Sequence, residues 1–270
     1  VLIEARTVRE TPVVRWSCDA QFMLLPESVR VAEARRFCET ELLPLLQALD
    51  PKTPHVLGED FGRTGDLTVL WPLAIERSLM RRTPFVVELR NVPFEQQKQI
   101  LHFLIDWLPL FRAGKMDARG NGQYLAEVTV QRYGERVETV MLSEGWYREN
   151  MPPLKAAFED GLLTVPADRH IQDDLRVVSL VRGIPRVPDS RTADQTGQRH
   201  GDAAVALAMA YAASRAAPVE YALLTAPNPY AIDAPSGASG RWPVETEIAA
   251  EKAGLSGGPD EYGVSGSVFG

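Results

Sequence analysis

Apolar and polar positions along the chain alternate in blocks that predict a mixed α/β domain. Residues 1–50 read as an extended start followed by a helix. Pro26-Glu27-Ser28 has the form of a helix start, and Val29 to Leu49 carries apolar residues at helical spacing. Pro51-Lys52-Thr53-Pro54 breaks that pattern. From Val56 the period shortens. Val56–Phe61 and Asp66–Glu76 predict two strands around the turn Gly62-Arg63-Thr64-Gly65, and Thr83–Asn91 predicts a third. Pro93 suits the first turn of a helix, carried from Phe94 to Leu108 by Ile100, Phe103, Leu104 and Trp107. A strand at Leu110–Asp117, a helix at Gly120–Tyr133, a strand at Val137–Leu142 and a helix at Glu144–Asp160 follow. Leu162–Val165 is short and extended, and Ala167–Leu180 is helical. Residues 183–199 are rich in Pro, Arg, Asp, Thr and Gln and read as a polar hairpin or flexible loop. A helix at Gly201–Ala213 closes the domain.

This order, with antiparallel strands first and crossovers later, suits a mixed central sheet with helices on both faces. The expected division is a linker or helical remnant over 1–54, the main domain over 55–215, and a Pro/Gly-rich arm over 216–270, partly disordered. Length permits one large domain or two small ones, and 45% hydrophobic with 24% charged residues is an ordinary globular balance. No apolar run reaches the roughly 18 residues of a membrane span, and no signal-peptide pattern is present. Cys18 and Cys38 form neither a disulfide framework nor a zinc-ligand pattern, so they read as free thiols in a reducing cytoplasm. The chain starts with Val, as a fragment of a longer protein would.

The candidate chemistry lies in three acids. Asp60 and Asp117 each close a short apolar run at a strand end, and Asp202 opens an Ala-rich helix whose small residues allow close packing on a sheet. Carboxylates gathered this way repel one another unless divalent cations lie between them. The pattern therefore suggests a metal-dependent phosphodiester-cleaving site. Each position also has a plainer use: Asp60 as a turn cap, Asp117 and Asp202 as helix N-caps. Glu59 should face away from Asp60, because side chains alternate along a strand. Asp66 and His200 are possible further ligands. Arg63, Lys115, Arg119 and Arg199 flank the acids and are candidate phosphate contacts. Glu88 and Asp106 read as solvated or salt-bridged. Asp173-Asp174 reads as an exposed helix face, and Phe103, Trp107, Phe111 and Phe158 as packing. A net charge of −7 argues against tight autonomous binding to DNA.

Three motifs carry a resemblance. Gly58-Glu-Asp-Phe-Gly-Arg-Thr-Gly-Asp-Leu-Thr-Val69, Met116-Asp-Ala-Arg-Gly-Asn-Gly122 and Arg199-His-Gly-Asp-Ala-Ala-Val-Ala-Leu-Ala208 resemble the nuclease domain of large terminase subunits of Mu-like tailed phages and prophages. The resemblance covers roughly residues 55–213. It implies an RNase H-like fold related to resolvases and transposases, and a two-metal endonuclease cutting double-stranded phage DNA in the host cytoplasm during packaging. By position, Asp60, Asp117 and Asp202 take the family's three metal-binding acids, with two Mg2+ or Mn2+ ions as cofactors. The implied partners are DNA, the terminase ATPase domain, the portal and the small terminase subunit, with no membrane. The chain departs from the family in lacking a Gly-x-x-x-x-Gly-Lys-Ser/Thr phosphate loop, so ATP hydrolysis is not expected of it. An actin- or sugar-kinase-like nucleotide-binding domain, a Holliday-junction-type resolvase, and a non-catalytic docking module for portal or small subunit are the alternatives.

Overall fold

The computed structural model describes residues 2–62, 67–120, 122–188, 192–194, 197–199 and 201–216. The chain opens with two short strands, β1 (Thr7–Val8) and β2 (Val13–Ser17), then helices α1 (Ala20–Leu24), α2 (Glu27–Phe37) and α3 (Leu43–Gln47). A π-type turn at Cys38–Leu42 joins the last two, so the single helix expected from Val29 to Leu49 is one rod with a wider turn in it. Next come β3 (His55–Asp60), β4 (Leu67–Ile75), β5 (Arg81–Arg82), β6 (Val86–Arg90) and α4 (Phe94–Trp107). They are followed by β7 (Phe111–Asp117), α5 (Gly122–Tyr133), β8 (Val137–Val140), α6 (Glu144–Glu159), β9 (Leu163–Pro166) and α7 (Arg169–Val177). Two small hairpins, β10 (Ser179–Val181) with β11 (Ile184–Arg186) and β12 (Thr192–Asp194) with β13 (Gly197–Arg199), precede α8 (Asp202–Arg215).

β3 is central. It pairs antiparallel with β4 and parallel with β7, and β7 pairs parallel with β8. The long β4 carries β6 antiparallel along its first half and β5 along its last two residues. This is the mixed sheet with antiparallel strands first and parallel crossovers later that the sequence order predicts. Alternation along each strand feeds two apolar layers. Val56, Val69 and Val86 pack with α6, α7 and α8, whereas Leu57, Leu70 and Val87 pack with α2 to α5.

Of the stretch 1–54, expected from sequence as a linker or helical remnant, β1 and β2 pair into this sheet. β2 runs parallel to β6 over five paired residues, and β1 pairs with β9. Arg15 fixes β2 by donating from Nε to Glu88 Oε2 at 2.7 Å and from Nη2 to Asp168 Oδ1 at 2.8 Å. Arg6 donates to the carbonyls of Phe158 and Glu159 at the C-terminus of α6, at 2.7 and 3.0 Å. The alternation in Val13-Val-Arg-Trp-Ser17 is the edge-strand signal that the reading of an extended start left unused.

Two further expectations change. Asp174 is buried, and its Oδ2 accepts from the Ala203 N–H at 3.2 Å, satisfying a free donor at the start of α8. Trp107 is 39% exposed at the end of α4 rather than packed, although Phe111 and Phe158 are buried. Asp106 is salt-bridged to Arg132 at 2.8 Å, as expected. The arm expected over 216–270 lies outside the described residues beyond Ala216, as do parts of the 183–199 loop.

Candidate functional site

Asp60 is the last residue of β3, and Asp117 the last of the neighbouring parallel strand β7. The register sets Glu59 beside Met116, so the two aspartates are adjacent across the pair. Gln97 of α4 secures this end of the sheet, donating from Nε2 to the carbonyls of Gly62 at 3.1 Å and Val92 at 2.8 Å. Phe61 stacks on Phe94, with ring centroids 5.0 Å apart. After Asp117 the chain turns sharply through Gly120 (φ +53°), and Gly122 lies against the Asp117 carbonyl, where a Cβ would stand 2.5 Å away. The two glycines thus bend the chain and admit a close backbone approach.

α8 brings the third acid. Its residues Asp202 to Ser214 are all buried, and the helix crosses β3, β4 and β7. Ala206 and Ala210 allow its backbone to touch β3 at Gly58. From that contact the helix N-terminus lies about one to two turns along, and Asp60 lies two residues along the strand. Gly201 (φ +78°) is the N-cap, so Asp202 is the first helical residue and not the cap.

All three carboxylates are buried: Asp60 is 7% exposed, Asp117 4% and Asp202 8%. Burial pushes the Asp60 carboxyl well above its ordinary range, and the charges of Asp202 and then Asp117 push it further, with Arg119 opposing. The three groups therefore share one electrostatic neighbourhood. Among the described residues, however, no three His, Cys, Asp or Glu side chains converge closely enough to hold one metal ion. Asp117 faces a cation of the protein itself. Both of its oxygens accept from Arg119, Oδ1 from the backbone N–H and Nε at 3.0 Å each, Oδ2 from Nη2 at 3.0 Å.

No protein-family model matches the chain. Over 219 residues, 79% of the chain and 40% of the relative, it is 47% identical to the probable terminase large subunit gp28 of Escherichia phage Mu. The Mu-like prophage FluMu protein gp28 of Haemophilus influenzae is 42% identical over 214 residues, 79% of the chain and 42% of that relative. The chain is a homologue of Mu-like large terminase subunits. It spans about two-fifths of the length of these curated relatives. Among solved structures, the large terminase nuclease of thermophilic phage G20c with bound magnesium matches with a TM-score of 0.47 at 21% identity, over 60% of this chain and 82% of that one. A zinc-bound crystal structure of the same nuclease gives the same figures.

The remaining residues named from sequence divide as follows in this terminase homologue. Arg119 sits on the site. Lys115, two residues before Asp117, is ion-paired with Glu138 of β8 and only 14% exposed. Arg199 ends β13. Arg63, Asp66 and His200 lie outside the described residues. Glu59 is completely buried, and neither of its oxygens has a hydrogen-bond partner among the described residues. Burial, and behind it the Asp117 charge, pushes the Glu59 carboxyl well above its ordinary range.

Tyr147 of α6 is a candidate site residue that sequence reasoning missed. It is buried, and its hydroxyl is pushed up to about 12 by burial, within the electrostatic reach of Arg119, Asp60, Asp117 and Arg186. In sequence it belongs to the apolar stripe Tyr147, Met151, Leu154, Phe158, which is indistinguishable from packing. Arg186 of β11 lies near the same wall, 3.9 Å from Glu144.

Proposed function

We propose that this chain is the nuclease part of a phage DNA-packaging terminase, hydrolysing phosphodiester bonds of double-stranded DNA with low sequence specificity. The observation that carries the reading is the burial of Asp60, Asp117 and Asp202 in one electrostatic neighbourhood, in a chain 47% identical to a large terminase subunit. The same relationship favours a terminase role over an actin-like nucleotide-binding domain.

The donor set fits hard divalent cations. It offers carboxylate oxygens alone, and it holds Asp60 where its negative charge is under-compensated. Asp60, on which the charges of both other acids press, would hold Mg2+ or Mn2+ together with Asp117 and Asp202. Such ions supply an activated water and neutralise charge on the leaving oxygen. The protein's own groups hold and orient. The β3–β7 pair fixes Asp60 and Asp117, α8 carries Asp202 across to them, and Arg119 and Tyr147 lie within reach of the same charges. Duplex DNA, the packaging ATPase, the portal and the small terminase subunit are the corresponding partners, in the host cytoplasm.

The test is nicking and linearisation of supercoiled plasmid in Mg2+, Mn2+ or EDTA, with wild type beside Asp60→Asn and Asp117→Asn. Metal-dependent cleavage lost in both variants is the expected result. Cleavage that survives Asp60→Asn would sink the assignment of the site.

A further inference from the structure

Asp117 and Arg119 differ sharply in exposure. The Asp117 side chain is 6% exposed, whereas that of Arg119 is 48% exposed. The guanidinium therefore covers the outer side of a buried carboxylate. It does so tightly: Nε lies 3.0 Å from Oδ1 and 3.1 Å from Oδ2, and Nη2 lies 3.0 Å from Oδ2. The Arg119 backbone N–H adds a further bond to Oδ1 at 3.0 Å. Both oxygens of Asp117 are thus engaged by one residue two positions along the chain. Arg119 is also the cation that opposes the upward push on Asp60, and it lies within the electrostatic reach of Tyr147.

From this geometry we infer that Arg119 is a removable counter-charge on the metal site, a positioning residue that exchanges Asp117 for a phosphate of the bound DNA. The inference rests on the metal-dependent nuclease reading above. A divalent cation and the guanidinium compete for the same Asp117 oxygens, so metal loading requires the clamp to open. A phosphodiester offers the guanidinium an equivalent pair of anionic oxygens. The long side chain, 48% exposed, can swing off Asp117 without unpacking the core while its backbone stays in the turn before α5. DNA binding then assists metal binding, and by reciprocity metal assists DNA. Without DNA the latch weakens metal loading, about tenfold, rather than abolishing it.

Two binding measurements test this without any turnover. The first is Mn2+ affinity of the DNA-free protein, followed by the electron paramagnetic resonance signal of free Mn2+. The second is affinity for a short fluorescent duplex in EDTA, followed by anisotropy. Arg119→Ala should bind Mn2+ more tightly by about tenfold and bind the duplex more weakly. Arg119→Gln keeps a neutral donor at the same place and should shift both in the same directions, which covers the case in which the Ala variant does not fold. Unchanged or weaker Mn2+ binding in a folded Arg119 variant would overturn the latch and leave Arg119 as a turn-stabilising residue. Tighter Mn2+ with undiminished duplex affinity would overturn the exchange. Asp60→Asn distinguishes the two levels: if adding it to the unlatched Arg119→Ala protein leaves Mn2+ binding unchanged, the metal-site reading itself fails.

Discussion

Gly58 of β3 and Ala210 of α8 are in backbone contact. A Cβ on Gly58 would stand 2.2 Å from the Ala210 nitrogen and 2.1 Å from the Ala206 carbonyl oxygen. No rotamer change relieves that clash, because every atom involved is main chain. The contact sets the height of α8 above the sheet, and with it the reach of Asp202 toward Asp60.

Gly58→Ala should therefore cost about 3 kcal/mol or more in denaturant unfolding, at the upper end of overpacking effects. It should also reduce stabilisation by Mn2+ under conditions where the variant is folded. Gly134→Ala is the control. Gly134 has φ +62° but nothing within 4 Å of the added methyl, so only the backbone cost of about 1–2 kcal/mol applies. Equal losses in the two variants would show that the close approach of α8 is not what Gly58 provides.

Relieving the repulsion at the site should stabilise the metal-free protein. Asp60 is the group whose ionised form is most opposed, by burial first and then by Asp202 and Asp117. Asp60→Asn keeps the shape and removes the charge, so in EDTA at neutral pH it should gain about 1 kcal/mol, as functional sites often do when neutralised. Asp202→Asn should gain less, because Asp202 at the first position of α8 also favours the helix dipole. Mn2+ should raise the Tm of wild type and leave Asp60→Asn unmoved. A lower Tm for Asp60→Asn in EDTA would mean that its carboxylate is held by compensating bonds instead.

Much of this was legible in the sequence because strand ends and helix starts leave local marks. Asp60, Asp117 and Asp202 each close or open an element, and those elements lie where apolar spacing puts them. Gly120 and Gly122 marked the turn between them. The sequence was silent where meaning depends on distant partners. Tyr147 has the spacing of a core aromatic and comes within reach of the Asp60 and Asp117 charges only through the packing of α6 on α8. Asp174 looks like the outer face of a helix and is turned inward by the N-terminus of α8, 29 residues away. The short run Val13–Ser17 gained its meaning from β6, far along the chain, and so read as a lead-in rather than a sheet strand.

That strand provides the next test. Glu88 is buried, with 2% of its side chain exposed, and Arg15 holds it from β2. Arg15→Ala removes the cation facing a buried carboxylate. Since Arg15 is itself 41% exposed, a loss of about 1–2 kcal/mol is expected, below the full cost of breaking an enclosed pair. β2 should loosen from β6, seen as faster amide hydrogen exchange over 13–17 than over β3. Unchanged exchange there would show that the apolar contacts of Val14 and Trp16 suffice to hold the strand.

His102 of α4 gives a pH dependence separate from the carboxylate site. Its Nε2 lies 3.2 Å from Thr129 Oγ1. Burial lowers the imidazole to about 4 from an ordinary 6.5, helped by the positive charges of Arg132 and Lys98 and opposed by Asp106 and Glu95. Between those values the unfolded chain binds a proton that the folded protein does not. The contribution of His102 is therefore fully present above about pH 6.5 and is lost as pH falls toward about 4. Because the ring is only partly enclosed, solvent screening reduces the size of the effect. The difference in unfolding free energy between wild type and His102→Gln should shrink as pH falls through that window and stay level above it. A difference constant from pH 7 to pH 4 would show that His102 keeps an ordinary imidazole in the folded protein and contributes by packing alone.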